Sequence, residues 1–192
     1  MSLKNPAALD FLQSRRSRPA KTLVAPAPNR EQLLPLLTAA ARSPDHGKLE
    51  PWRFVVLEIG ALQRLADLTE NRAAAMGKNA EEIAKARSQF DMGLLAVAVI
   101  EVQKPSEKIP AIEQTYSAGA VCLALLNAAL AAGWGANWLS GWQAHDREFC
   151  KKGLGLAENE RVAGFIHIAT ESVSPPERPR PDVSALTQWV SE

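Results

Sequence analysis

The sequence predicts a domain in which helices and strands share one core, and three observations lead there. Residues 52–59 (WRFVVLEI), 94–102 (LLAVAVIEV) and 161–170 (RVAGFIHIAT) are apolar runs of strand length, rich in β-branched and aromatic residues. The stretches between them place apolar residues at helical spacing. The chain has 192 residues, is 46% hydrophobic and contains no internal repeat, which suits a single domain over residues 1–192 with a sizeable core.

Taken in order, Asn5-Pro6 supplies an N-cap and a proline at the first helical position, and Leu9 and Leu12 continue a short helix until Ser14-Arg15-Arg16-Ser17-Arg18-Pro19 breaks it. After the turn at residues 25–28, Asn29 and Gln32 form a capping-box signature, and Leu33, Leu36, Leu37 and Ala40 share one helical face to about Arg42. Residues 43–51, with two prolines and a glycine, form a polar loop before the first apolar strand. Helices are expected over residues 61–76 and 81–92, the second charged enough to lie on the surface.

Pro110 opens the longest apolar segment, which runs to about Ala132. Its interior, AGAVCLALLNAALAA, spans 15 residues and contains Asn127, short of the roughly 20 apolar residues a bilayer needs. It reads as a helix buried on all sides, and such a helix in a domain of this size calls for a second subunit to help cover it. Residues 133–142 form an aromatic, glycine-punctuated strand or loop holding three of the five tryptophans. Asp146 caps a short helix to Lys152, and after the last apolar strand the chain ends in a proline-rich tail, residues 172–192.

Composition removes several function classes. Twenty-two Lys+Arg against 21 Asp+Glu leave a formal charge of +1, too balanced for a nucleic-acid protein. Cys122 and Cys150 are the only thiols, so no disulfide framework or four-cysteine zinc site is available and a reducing compartment is expected. The first 25 residues hold no apolar export segment, so a cytoplasmic protein with no membrane partner is expected. There is no G-x-x-x-x-G-K-[ST], G-x-S-x-G or H-E-x-x-H motif, and His145 and His167 lack ligand-spaced partners, so neither a metal site nor a catalytic triad is predicted. The glycine patterns at Gly133 and Gly153 carry Trp138 and Glu158 where a dinucleotide fingerprint needs a third glycine.

Three places remain ligand-capable. Arg15, Arg16 and Ser17 put two guanidinium forks and a hydroxyl beside a helix end, where they suit one phosphate as well as they suit a solvated basic loop. Arg42 and His46 flank the Pro44-Asp45 turn and are open either to a ligand laid across it or to solvent. Trp138, Leu139, Ser140 and Gly141 offer backbone groups, a hydroxyl and an indole to a planar ligand, or aromatic packing to an interface.

In combination these segments resemble the FMN-dependent nitroreductase family. The match runs over residues 14–168 in the family's order: Arg15-Arg16-Ser17, then Ala41-Arg42-x-Pro44 leading to Pro51-Trp52-Arg53-Phe54. Ser117-Ala118-Gly119-Ala120, Trp138-x-Ser140-Gly141 and Leu154-Gly155-Leu156-x-Glu158-Asn159-Glu160 before Val162-x-Gly164 follow. Many relatives carry Pro-Ser-x-x-Asn-x-Gln-Pro-Trp ahead of the first strand. Here Asp45 and His46 follow Pro44, and Lys48 and Glu50 replace the two amides, so this version resembles a small, minimal subgroup.

The resemblance implies an α+β fold, a three-layer α/β/α sandwich with a mixed, mainly antiparallel sheet. It further implies a homodimer with one FMN in each of two clefts at the subunit interface. By that likeness Arg15, Arg16 and Ser17 hold the phosphate and ribityl end. Arg42 and His46 reach the flavin, across the dimer, and Trp138, Leu139 and Ser140 line the isoalloxazine or phosphate side. Relatives often carry a late arginine, and Arg178 and Arg180 fall there. The expected activity is an NADH- or NADPH-dependent reduction of nitroaromatic, quinone or similar small-molecule acceptors by ping-pong hydride transfer, the flavin N5 carrying the chemistry. The alternatives are another flavin reaction on the same scaffold (dehalogenation, enoate reduction, dehydrogenation) or a non-catalytic FMN-binding dimer. The proline-rich tail is expected on the partner subunit.

Overall fold

The computed structural model describes residues 3–192. Helix α1 (Pro6–Ser14) starts where the Asn5 side chain accepts from the Ala8 N–H at 3.1 Å. Strand β1 (Leu23–Val24) and helix α2 (Arg30–Ala40) follow. The α2 capping box is formed: Gln32 N–H donates to Asn29 Oδ1 at 2.9 Å and Asn29 N–H to Gln32 Oε1 at 3.0 Å, satisfying two otherwise orphaned donors. Then come β2 (Trp52–Glu58), α3 (Ile59–Ala75), α4 (Ala80–Asp91), β3 (Leu95–Val102), α5 (Ala111–Ala131), β4 (Gly135–Leu139), α6 (Arg147–Leu154) and β5 (Glu160–Glu171).

Every strand pairing among the described residues is antiparallel. β3 lies between β2 (Trp52↔Glu101 through Glu58↔Leu95) and β5 (Ala96↔His167 through Val102↔Glu160). β5 also pairs with β4 (Gly135↔Ala169 through Leu139↔Phe165) and with the short β1. The period-2 alternation of the central strand divides the core. Val97 and Val99 face α2 and α5 with Leu36, Val121, Leu125 and Ile168. Ala98 and Ile100 face the opposite layer, where α3, α4 and α6 contribute Leu65, Phe90 and Phe149. Phe90 anchors this second layer, stacked on Phe149 at 5.7 Å and edge-on to Phe165 at 5.5 Å. The three-layer α+β sandwich implied by the resemblance is therefore present, but the expected mixed sheet is, among the described residues, antiparallel throughout.

Within its own chain the long helix is covered on one side, so the expected burial on all sides is not reached by these residues alone. Ser117, Val121, Leu125 and Ala129 face the sheet, while Tyr116 is 68% exposed and Ile112 and Leu123 also face outward. The sheet and α2 can cover only one side of a cylinder. The loop at residues 43–51 is more ordered than expected, holding one 3-10 turn, His46–Lys48. β1 was not foreseen, because two residues show no periodicity.

Candidate functional site

α1 ends because Arg15 turns extended while its N–H still bonds the Phe11 carbonyl at 2.8 Å. The chain then runs to β4, where Arg18 N–H donates to the Ala136 carbonyl (2.8 Å) and Asn137 Nδ2 donates to the Arg18 carbonyl (2.7 Å). This two-way tie places three arginines around a cleft of about 320 Å³. Arg18 is committed to Glu171, Nε to Oε2 at 2.7 Å, and Arg16 donates to the Pro176 carbonyl at 2.6 Å. The tail also brings Arg180 alongside, where it pairs with Glu177 at 2.9 Å.

Arg15 differs from Arg16, Arg18 and Arg180 in having no carboxylate within ion-pair distance among the described residues. Its Nη2 reaches Ser17 Oγ at 3.4 Å, but its Nε is buried without a hydrogen-bond partner among the described residues. Burial, then the positive charges of Arg180, Arg16 and Arg18, push its pKa down. A half-buried guanidinium crowded by three cations and facing a cleft fits an incoming dianion, since a phosphate monoester would both neutralise the cluster and accept several forked N–H bonds.

The second predicted site lies elsewhere on the same chain. The loop between α2 and β2 has three residues with positive φ: Gly47 at 73°, Lys48 at 55° and Glu50 at 47°. A Cβ at Gly47 would collide with Ile109. Each left-handed non-glycine residue costs on the order of 1–3 kcal/mol and persists only where its surroundings enforce it. Here the Asp45 carboxylate accepts from Leu49 N–H (3.2 Å) and Glu50 N–H (2.7 Å). The buried Ser117 hydroxyl on α5 donates to the Pro44 carbonyl (2.8 Å) and accepts from Trp52 Nε1 (3.2 Å). His46 projects from this frame with Nδ1 2.6 Å from Oε2 of Glu113, in the first turn of α5. Arg42, just beyond α2, is exposed.

The third site is the end of β4. Trp138 is 37% exposed and its indole covers Gly164 of β5, which has no Cβ to block it. Leu139 is half-buried and Ser140 exposed.

The structure thus brings together Arg15, Arg16 and Ser17 at one end of β4 and sets Trp138, Leu139 and Ser140 toward the other, about 13 Å along the strand from Ala136. It does not bring Arg42 and His46 to them. The arginine cleft lies beside Leu130 near the end of α5, and Glu113, which holds His46, is at its start. Their separation is about 25 Å along the helix. Sequence reasoning missed Arg18 and Glu171 as cleft-lining groups and Glu113 and Ser117 as supports. The only available signal was the density of arginines at residues 15–18, which included Arg18.

A cation-lined cleft on an antiparallel α/β/α sandwich is the setting in which the comparisons fall. The nitroreductase family model matches residues 12–170, and the chain belongs to the nitroreductase family. The Escherichia coli (strain K12) protein named "Putative NAD(P)H nitroreductase YdjA" is 35% identical over 163 residues, covering 85% of this chain and 87% of that one. Among solved structures, a nitroreductase-like family protein from Bacillus cereus superposes with a TM-score of 0.79 at 22% identity over 100% of both chains. A nitroreductase with bound FMN from Bacteroides fragilis NCTC 9343 gives 0.74 at 17% identity, covering 95% of this chain and 98% of that one. At these identities the two structures establish the shared fold.

Proposed function

We propose that this protein is an FMN-dependent oxidoreductase that takes electrons from NADH or NADPH and reduces nitroaromatic, quinone or similar acceptors. The observation that carries the reading is Arg15, an arginine of the cleft with no carboxylate partner among the described residues and a pKa pushed down by burial and by its cationic neighbours, which suits a phosphate monoester. A family relative named as an NAD(P)H nitroreductase and a structural neighbour with bound FMN support the choice of cofactor.

Arg15, Arg16 and Ser17, with Arg18 and Arg180 close by, hold the phosphate. Trp138, Leu139 and Ser140 flank the ring system, with Trp138 steadied on Gly164. FMN, held there by Arg15, Arg16 and Ser17 and flanked by Trp138, Leu139 and Ser140, would supply ping-pong hydride chemistry between a nicotinamide donor and an acceptor. The protein's own groups bind and orient, so no catalytic side chain is required.

Because His46 stands about 25 Å along α5 from the arginine cleft within one chain and Arg42 does not line that cleft, both serve the cofactor of a second copy. That makes the working unit a homodimer. The outward face of α5, with Ile112, Tyr116 and Leu123, is the apolar surface such a dimer would cover. The tail packs on the partner in this reading: Val183, Leu186, Trp189 and Val190 are 71–92% exposed on their own chain. An apolar groove of about 700 Å³ between α2 and the β2 edge, lined by Leu33, Leu34, Leu37, Val56 and Ile59, offers them a seat. Two buried free thiols accord with a reducing cytoplasm.

The test is the visible spectrum of the purified, FMN-reconstituted protein before and after anaerobic NADPH or NADH. A stoichiometric flavin band that bleaches and returns on adding a quinone supports the reading. A colourless protein that cannot be reconstituted overturns it.

A further inference from the structure

The loop at residues 44–50 is strained, tightly fastened and almost wholly on the surface, which is an unusual use of strain. It shapes no core, and an exposed hydrogen bond such as that of His46 with Glu113 returns less stability than two left-handed non-glycine residues cost. What the frame achieves is the fixed display of one imidazole. The His46 side chain is 61% exposed, its Nδ1 is engaged by Glu113 at 2.6 Å, and its Nε2 has no partner among the described residues.

A carboxylate can only accept a hydrogen bond, so the His46 proton facing it must sit on Nδ1. A free neutral imidazole favours the other tautomer, with the proton on Nε2. Glu113 therefore inverts the polarity of the exposed nitrogen, turning Nε2 from a donor into an acceptor. The second-site position of Glu113 strengthens the point: it stands on α5, which also supplies Ser117 to clamp the loop through Pro44 and Trp52. One helix thus sets both the place of the ring and its tautomer.

The geometry points to Glu113 as a positioning residue that fixes His46 in the Nδ1–H form, so that Nε2 accepts a hydrogen bond from a donor group, N–H or O–H, of FMN held by a second copy. This rests on the functional reading above, and it adds a residue and a protonation pattern to it. The ligand atoms it selects are donors such as the flavin imide N–H or a ribityl hydroxyl, and a carbonyl or phosphate oxygen would be rejected at this position while the ring is neutral.

The experiment has two independent arms. In the first, long-range proton–nitrogen correlation spectra of histidine-labelled, flavin-free protein, at a pH where the His46 ring is neutral, read the tautomer directly. The wild type should show Nδ1–H, and Glu113→Ala should show mainly Nε2–H with an unchanged melting temperature. Retention of Nδ1–H in Glu113→Ala overturns the proposal. In the second arm, FMN affinity is measured by flavin fluorescence for the wild type, Glu113→Ala, His46→Ala and the double variant. Each single change should weaken binding about fivefold, and the double should be no weaker than His46→Ala. Additive losses, or no loss in Glu113→Ala, overturn the link to FMN. Failure of the wild type to bind FMN at all would overturn the functional reading itself, while leaving the first arm to judge the Glu113–His46 pairing alone.

Discussion

Trp138 and Gly164 are matched across neighbouring strands: the indole lies over the glycine Cα so closely that a Cβ there would overlap its Nε1, Cδ1 and Cε2. Trp138 pairs in register with Ile166, so the ring reaches diagonally across β5. Gly164→Ala should displace it and destabilise the protein by about 1–3 kcal/mol, as overpacking does. In a Trp138→Ala background the same substitution should cost almost nothing. Denaturant unfolding of the four proteins, followed by circular dichroism, checks this; equal costs in both backgrounds would show that the cost does not come from the indole.

The arginine cleft makes opposite predictions for binding and for stability. Each charge-assisted contact to a phosphate is worth about 1.5–3 kcal/mol, so Arg15→Ala and Arg16→Ala should each weaken FMN by about 10- to 100-fold. The flavin-free protein should not suffer from Arg15→Ala, because the substitution relieves repulsion from Arg180, Arg16 and Arg18. Flavin content of the purified double variant and melting temperatures of the apo forms decide the matter. Unchanged flavin in the double variant would remove both residues from the site.

What was legible in the sequence follows from how locally each feature is encoded. β3 and β5 could be read because burial on both faces of a sheet demands continuous apolar runs, β2 because even this edge strand is an unbroken run of apolar and aromatic residues from Phe54 to Leu57, and the α2 capping box because its two partners are three residues apart. Arg15, Arg16 and Ser17 stood out as a dense cluster of donors at a helix end. The Glu113–His46 contact joins residues 67 apart and leaves no local pattern, so nothing in the sequence marked Glu113. Nor could the two faces of α5 be told apart. A face turned to a sheet and a face left open for a partner are both built of small and apolar residues, and only the fold shows that Val121 is inside and Leu123 outside.

That open face sets a prediction about assembly. Leu123 is 45% exposed near the middle of the helix, and a glutamate there would place an unpaired charge in any interface formed by α5. Leu123→Glu should convert a dimer to a monomer in sedimentation while leaving the fold intact by circular dichroism. FMN binding should weaken in parallel, since the contacts proposed for His46 and Arg42 with a second copy's cofactor are then lost. A wild type that sediments as a monomer, or a variant that remains a dimer with normal affinity, would place the interface elsewhere.

The last prediction concerns pH, and it comes from inside the sheet. His167 on β5 is 1% exposed, its Nε2 has no partner among the described residues, and burial lowers its pKa from 6.5 to about 4. Below pH 6.5 the unfolded chain therefore takes up a proton that the folded protein refuses, so stability falls as pH drops toward 4 and this group adds nothing further below that. The loss should be about 2 kcal/mol between about pH 7.5 and pH 5. Glu160, held below the usual carboxylate range by its hydrogen bonds to Arg53, and Asp146, held down likewise by Arg72, act in a separate window. Their depressed pKa values stabilise the fold at neutral pH, and that contribution is lost only as pH falls below about 4.5. His167→Leu should accordingly flatten the stability profile above that point and leave the acid limb in place. Urea unfolding across the range reads both limbs, and an unchanged slope in the variant would mean that His167 takes up its proton within the folded sheet.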